Sequence, residues 1–233
     1  MSTTKYYIKG IKGAIGAPVI GLGLSMFTFG AYLNSSDFNI LQSFLSTFFA
    51  FALPGQFVMT ETLLSGGNLL NIFFAVLFTN ARLFPMTMHI IPTIKTNKVR
   101  LWKYFILCHF IAVTAWINYI SVYKKINFSK RYQYFLGLAG SLWLSSVMFT
   151  MLGFIFSSTV SHELLIALVF FNPMYFLIMT VKNLVNKQLI IVFCLSVILT
   201  PLLYLLLNDW GVMISGLFSG TLVFFLYREK RHE

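Results

Sequence analysis

The sequence predicts an all-α integral membrane protein, a polytopic helical bundle of about eight hydrophobic segments with a broken helix at Pro54-Gly55. Three observations lead there. Of the 233 residues, 58% are hydrophobic and only 10% charged, with a mean hydropathy of +0.81, whereas soluble domains carry about 25% charged residues. Apolar runs of the roughly 20 residues that a bilayer core demands recur along the whole chain. The basic residues fall mainly between those runs.

Taken in order, the predicted segments are 14–33, 39–65, 68–91, 101–122, 133–156, 163–181, 188–207 and 211–227, forming a single permease domain over 1–233. The first follows three lysines and so resembles a signal peptide. Gly13, Gly16, Pro18, Gly21 and Gly23 fill it, however, and no small-x-small cleavage site follows, so it reads as a retained helix. Those small residues predict either a close helix-packing face or a helix break at Pro18. The second segment contains Leu53-Pro54-Gly55-Gln56 in mid-run. Proline removes a backbone donor and glycine lets the chain bend. Unpaired backbone is tolerated at membrane depth only where protein or a wet cavity surrounds it. In the fourth segment His109, Thr114 and Asn118 are polar, the last two sharing a stripe at four-residue spacing. Asn172-Pro173 is a second candidate break, in the sixth. The last two segments, joined by Asn208-Asp209, predict a tight hairpin.

Net charge is +11, distributed over Lys5 to Lys12, Lys95 to Lys103, Lys124 to Arg131, Lys182 and Lys187, and Arg228 to Arg231. That is the pattern of loops held at anionic headgroups and not of a nucleic-acid groove. It predicts a multi-pass protein of the cell (inner) membrane with both termini cytoplasmic. One conflict remains. The loops 95–103 and 124–131 flank one segment, so a straight crossing puts one of them on the wrong side. Cys108 and Cys194 lie in apolar runs and read as small hydrophobes, and no metal, nucleotide or dinucleotide motif occurs, so no cofactor is expected. Ser161-His162-Glu163 is no catalytic constellation, because adjacent residues on a helix point in different directions; no enzyme is predicted.

The chemistry concentrates between Phe51 and Pro92, where Gln56, Glu61, Asn80 and Arg82 stand in almost wholly apolar sequence. Ionisable groups inside a membrane are costly unless they pair or line a pathway, so they point to a transport site; the alternative is a structural ion pair locking two helices. Phe51-Ala52-Leu53-Pro54-Gly55-Gln56-Phe57, then Leu63-Leu64-Ser65-Gly66-Gly67, then Asn80-Ala81-Arg82 and Pro92 resemble the AzlC-type branched-chain amino acid exporter family. The glycine- and proline-rich opening, Phe135-Leu136-Gly137, Trp143, Gly153 and Gly216-x-x-x-Gly220 also fit it. Only the 51–92 block is specific. The resemblance implies the large subunit of a permease that works with a small hydrophobic AzlD-like membrane subunit and exports branched-chain amino acids, sometimes methionine. Two features depart from the family: Val113-Thr114-Ala115-Trp116 stands where many relatives have an acidic patch, and Phe171-Asn172-Pro173-Met174 is an added break.

A zwitterionic substrate needs partners for its carboxylate and its ammonium, and an apolar pocket. Arg82 suits the carboxylate through a bidentate fork, with Gly55, Gln56 and Asn80 supplying backbone and amide contacts. Glu61 would receive the ammonium or carry a coupling proton, since burial favours its neutral form. Its plainer reading is a pair with Arg82. His89, seven residues on from Arg82, would extend a proton path or bond at the interface. The rival readings of the whole chain are a non-transporting membrane scaffold subunit and a permease for a different small organic substrate.

Overall fold

A computed structural model describes residues 3–97, 99–159, 184–207 and 209–228, with scattered positions between 161 and 181. All regular structure among the described residues is helical. The chain divides into two compact units, Met1–Phe176 and Leu177–Glu233. Most of the predicted segment 163–181, including Asn172 and Pro173, lies outside the described residues.

The first unit contains α1 (Thr3–Ala14), α2 (Ala17–Ser35), α3 (Ile40–Phe49), α4 (Leu53–Leu64), α5 (Leu69–Asn80), α6 (Leu83–Ile94), α7 (Leu101–His109), α8 (Val113–Val122) and α9 (Arg131–Phe156). With 26 residues, α9 is about 39 Å long and can cross a bilayer by itself. The chain from α1 to α2 runs along it in the same direction. Gly10 meets α9 at Tyr134 and Leu138, whereas Gly30 meets it at Thr150 and Phe154, and the Asn34 amide donates to the Phe154 carbonyl at 2.6 Å. The small residues of this region do pack closely. A Cβ at Gly30 would strike the Thr150 carbonyl, and one at Gly153 the Phe27 carbonyl, so two backbones touch where no side chain fits. The chain is interrupted here as well. Gly16, at φ 107°, adopts a conformation that favours glycine and separates α2 from α1. Pro18 then sits in the first turn of α2, where a missing N–H costs no hydrogen bond.

Two segments predicted as crossings turn back instead. α3 leaves the far end of α2 and reaches the middle of α9, where Phe48 packs edge-on against Trp143 at 4.9 Å. α4 then returns: Phe57 packs on Phe29 at 5.0 Å, and the Tyr32 hydroxyl near the end of α2 donates to Glu61. The second hairpin enters from the opposite end. Tyr104 of α7 meets Tyr132 at the start of α9, His109 and Phe110 meet Trp143 at its middle, and Tyr119 of α8 is back at Phe135. α7 and α8 are bent by 118° and measure 9 and 10 residues, about half the length a bilayer core demands.

The α5–α6 pair, bent by only 51°, runs the whole way. It starts beside α4 and ends where the Thr93 and Tyr119 hydroxyls bond at 3.0 Å and the Thr96 N–H donates to the Tyr104 hydroxyl at 2.9 Å. This arrangement removes the charge conflict. Because 101–122 turns back, the loops 95–103 and 124–131 lie at the same end of α9, the end that also holds α1 with Lys5, Lys9 and Lys12. α1 itself lies ahead of the predicted first segment.

In the second unit, α10 (Lys187–Leu207) and α11 (Asp209–Arg228) form the predicted hairpin. Thr200 and Ser215 share a hydrogen bond of 2.6 Å across it, and a Cβ at Gly211 would strike the Leu203 carbonyl. Gly216 and Gly220 face open space within the described residues.

Candidate functional site

Three interruptions in the helices converge on one cavity of about 220 Å³. The turn between α3 and α4 contributes Phe51, Ala52, Leu53 and Pro54. The kink between α5 and α6 contributes Arg82 and Leu83, and the turn between α7 and α8 contributes Ala112, Val113 and Thr114. Leu22 and Met26 of α2 supply an apolar wall. The interruption of the second segment falls at Ala50–Ala52, ahead of the predicted Pro54-Gly55. Pro54 occupies the first turn of α4 and starts that helix, because this is where a proline fits without loss of a hydrogen bond.

The two turns are tied to each other. The Phe48 carbonyl, close to the end of α3, accepts from His109 Nε2 at 2.9 Å and from Trp143 Nε1 at 3.2 Å. His109 is thus the hinge of the α7–α8 turn, a role its sequence surroundings do not disclose; a histidine in mid-run is the only signal.

The predicted site residues divide. Arg82 lines the cavity, keeps part of its surface exposed, and makes no ion pair among the described residues. Gln56 is fully buried and does not line the cavity. Its amide donates to Thr47 at 3.0 Å and more weakly to Ser46 at 3.4 Å, while Thr47 shares a hydrogen bond of 3.0 Å with Thr150. That chain of polar groups binds α4 and α3 to α9. Gly55 is where the side chain of Asn80 rests: an added Cβ would lie within 2.6 Å of Asn80 Oδ1, so the glycine lets α5 approach α4. Gln56 Oε1 and Asn80 Oδ1 are buried without a partner among the described residues. Glu61 is exposed on this chain and bonds Tyr32 rather than Arg82. His89 packs edge-on against Trp116 at 6.0 Å. Thr114, read from sequence as part of a polar stripe with Asn118, is 1% exposed and lines the cavity. Asn118 does bond to it, donating to the Thr114 carbonyl at 2.8 Å.

The electrostatics follow from the backbone. α4 and α8 both begin at the cavity, and the first N–H groups of a helix have no partner within it and carry partial positive charge. With Arg82 beside them, the cavity is a positive spot in an apolar enclosure.

Interrupted helices that enclose a cavity are a recurring feature of transporter sites in multi-pass helical proteins. The family model described as AzlC protein matches residues 18–160, more than half of the chain and nearly all of α2 to α9. The chain belongs to the AzlC family, membrane transporters of the branched-chain amino acid type. A search of curated proteins and a search of solved structures find no match.

Proposed function

We propose that the chain, acting as one permease domain with a small hydrophobic AzlD-like membrane subunit, exports branched-chain or other small neutral amino acids across the cell membrane. The observation that carries this reading is the meeting of three helix interruptions at one cavity beside Arg82. Backbone opened at membrane depth is a recurring way of building transporter sites. Arg82 holds the substrate carboxylate, and Leu22, Met26 and Leu83 hold its side chain. The two short hairpins enter from opposite faces, so displacing one at a time opens the cavity to one side at a time. We assign the Arg131 end of α9, rich in lysine, to the cytoplasmic face, and both termini to the cytoplasm.

The direct test is efflux of labelled leucine, valine and methionine from proteoliposomes containing the chain and its small partner. Efflux of any of them supports the reading; none, with assembly intact, leaves the scaffold role. Topology has its own check. In a chain freed of Cys108 and Cys194, cysteines at Asn97 and Asn127 are expected to react with an impermeant maleimide from the cytoplasmic face, and one at Asn68 from the other. Labelling of Asn97 and Asn127 from opposite faces would contradict the hairpin at 101–122.

Coupling is assigned to Glu61, whose carboxylate joins α4 to Tyr32 of α2. Protonation changes that contact, and so the position of the hairpin. Glu61→Gln, which mimics the protonated form, is expected to leave substrate binding in place while export loses its response to an imposed proton gradient. Undiminished gradient dependence in that variant would remove Glu61 from the mechanism.

A further inference from the structure

We infer that the cavity reads a carboxylate and not an ammonium group, so that its ligands are small monocarboxylates with an apolar tail, 2-oxo acids as well as amino acids. This rests on the transport reading of the same cavity and narrows it. The donors at the cavity are unused. The N-caps of α4 and α8 are Ala52 and Ala112, which have no side chain able to cap, so the N–H of Leu53 in α4, where Pro54 has none, and those of Val113 and Thr114 in α8 remain available at the cavity. Thr114 is an independent sign of a ligand. It is buried to all but 1% of its surface, it lines the cavity, and its hydroxyl has no hydrogen-bond partner among the described residues. Arg82 adds a full positive charge with no carboxylate opposite it among the described residues.

Of the acceptors near the cavity, Gln56 Oε1 and Asn80 Oδ1 have no partner among the described residues but belong to residues that do not line it, whereas several carbonyls at the ends of α3 and α7 are occupied. At the end of α3, the Ser46 carbonyl takes the Ala50 N–H at 2.9 Å and the Phe48 carbonyl takes His109 and Trp143. At the end of α7, the Leu107 and Cys108 carbonyls take the N–H groups of Phe110 and Ile111 at 3.0 and 3.1 Å. No acidic residue is among the described lining residues, and Glu61 is bonded to Tyr32. An ammonium placed here would face a guanidinium and two positive helix ends with no carboxylate to pair with, the Thr114 hydroxyl being the one lining side chain able to accept from it, whereas a carboxylate would meet donors on several sides. Leu22, Met26 and Phe51 leave the remainder of the space to an unbranched or branched hydrocarbon tail.

The test compares leucine, 4-methyl-2-oxopentanoate and 3-methylbutylamine, which share a tail and differ in their charged groups, by titration calorimetry on the chain in lipid nanodiscs. The oxo acid is expected to bind within about threefold of leucine or tighter, and the amine at least ~100-fold more weakly, because the amine leaves buried donors unpaired. Thr114→Val should weaken both acids by roughly 3- to 10-fold, the share of one hydrogen bond, and Thr114→Ser should restore them. Leucine binding with an oxo acid about 30-fold or more weaker would overturn the inference and leave the amino acid reading standing. Preferred binding of the amine would overturn it as well. Binding of the oxo acid without leucine would support it while removing the amino acid reading, and binding of none of the three would overturn both.

Discussion

Arg82→Ala should abolish transport in a protein that still folds. The guanidinium lines the cavity at the kink between α5 and α6 and makes no ion pair among the described residues, so little of the fold depends on it. A bidentate pair with a carboxylate in a partly enclosed site is worth about 2–3 kcal/mol at the lower end of such measurements, a loss of ~30- to 150-fold in affinity. Arg82→Lys keeps the charge but loses the planar fork, and an intermediate loss is expected. The measurement is efflux from proteoliposomes beside a thermal melt of the same preparation. Unaltered efflux in Arg82→Ala would take the site away from this cavity. A variant that melts early would show Arg82 to be a structural residue instead.

The second large effect is on assembly. Gly153→Leu is expected to prevent α2 from docking on α9, with most of the protein lost from mild detergent in size-exclusion chromatography. A Cβ at Gly153 would collide with the Phe27 carbonyl, and Phe27 C and Cα lie at 2.6 and 2.8 Å. Because those are backbone atoms, no rotamer change relieves the collision and the helices must separate. Overpacking of that kind costs about 1–3 kcal/mol where side chains can move aside, and more where they cannot. Gly140→Ala on the same helix is the control. Nothing lies within 4 Å of the point its methyl group would occupy, so it should be neutral or stabilising by up to ~1 kcal/mol through helix propensity. Equal behaviour of the two substitutions would mean that α2 and α9 cross less closely than these distances require.

These two residues also mark how far sequence reasoning reaches. Arg82 stands out in the sequence as a guanidinium in apolar surroundings, and it lines the cavity. Gln56 and Asn80 carry the same kind of signal, yet Gln56 is turned into the packing between α3, α4 and α9, and Asn80 rests on Gly55. A buried amide looks identical in sequence whether it meets a ligand or a threonine from another helix. Thr114 shows the converse. Threonine is common in membrane helices, and only the turn before α8 makes its hydroxyl part of the cavity.

Read alone, the sequence establishes a multi-pass helical membrane protein, the long apolar helices among its segments, and a concentration of chemistry near residues 51–92. Those properties are local: hydropathy, helix-breaking residues and isolated charges can be read a few positions at a time. The turning back of 40–64 and 101–122 at the middle of α9 is set by tertiary contacts. His109-Phe110-Ile111-Ala112 contains neither proline nor glycine, so nothing local breaks that helix. The turn is held by the His109 bond to the Phe48 carbonyl, 61 residues away, and by packing of His109 and Phe110 on Trp143. A hydrogen bond between two such distant points closes only when both hairpins are in place, and that is why the cavity, which lies between their tips, exists in the folded chain alone.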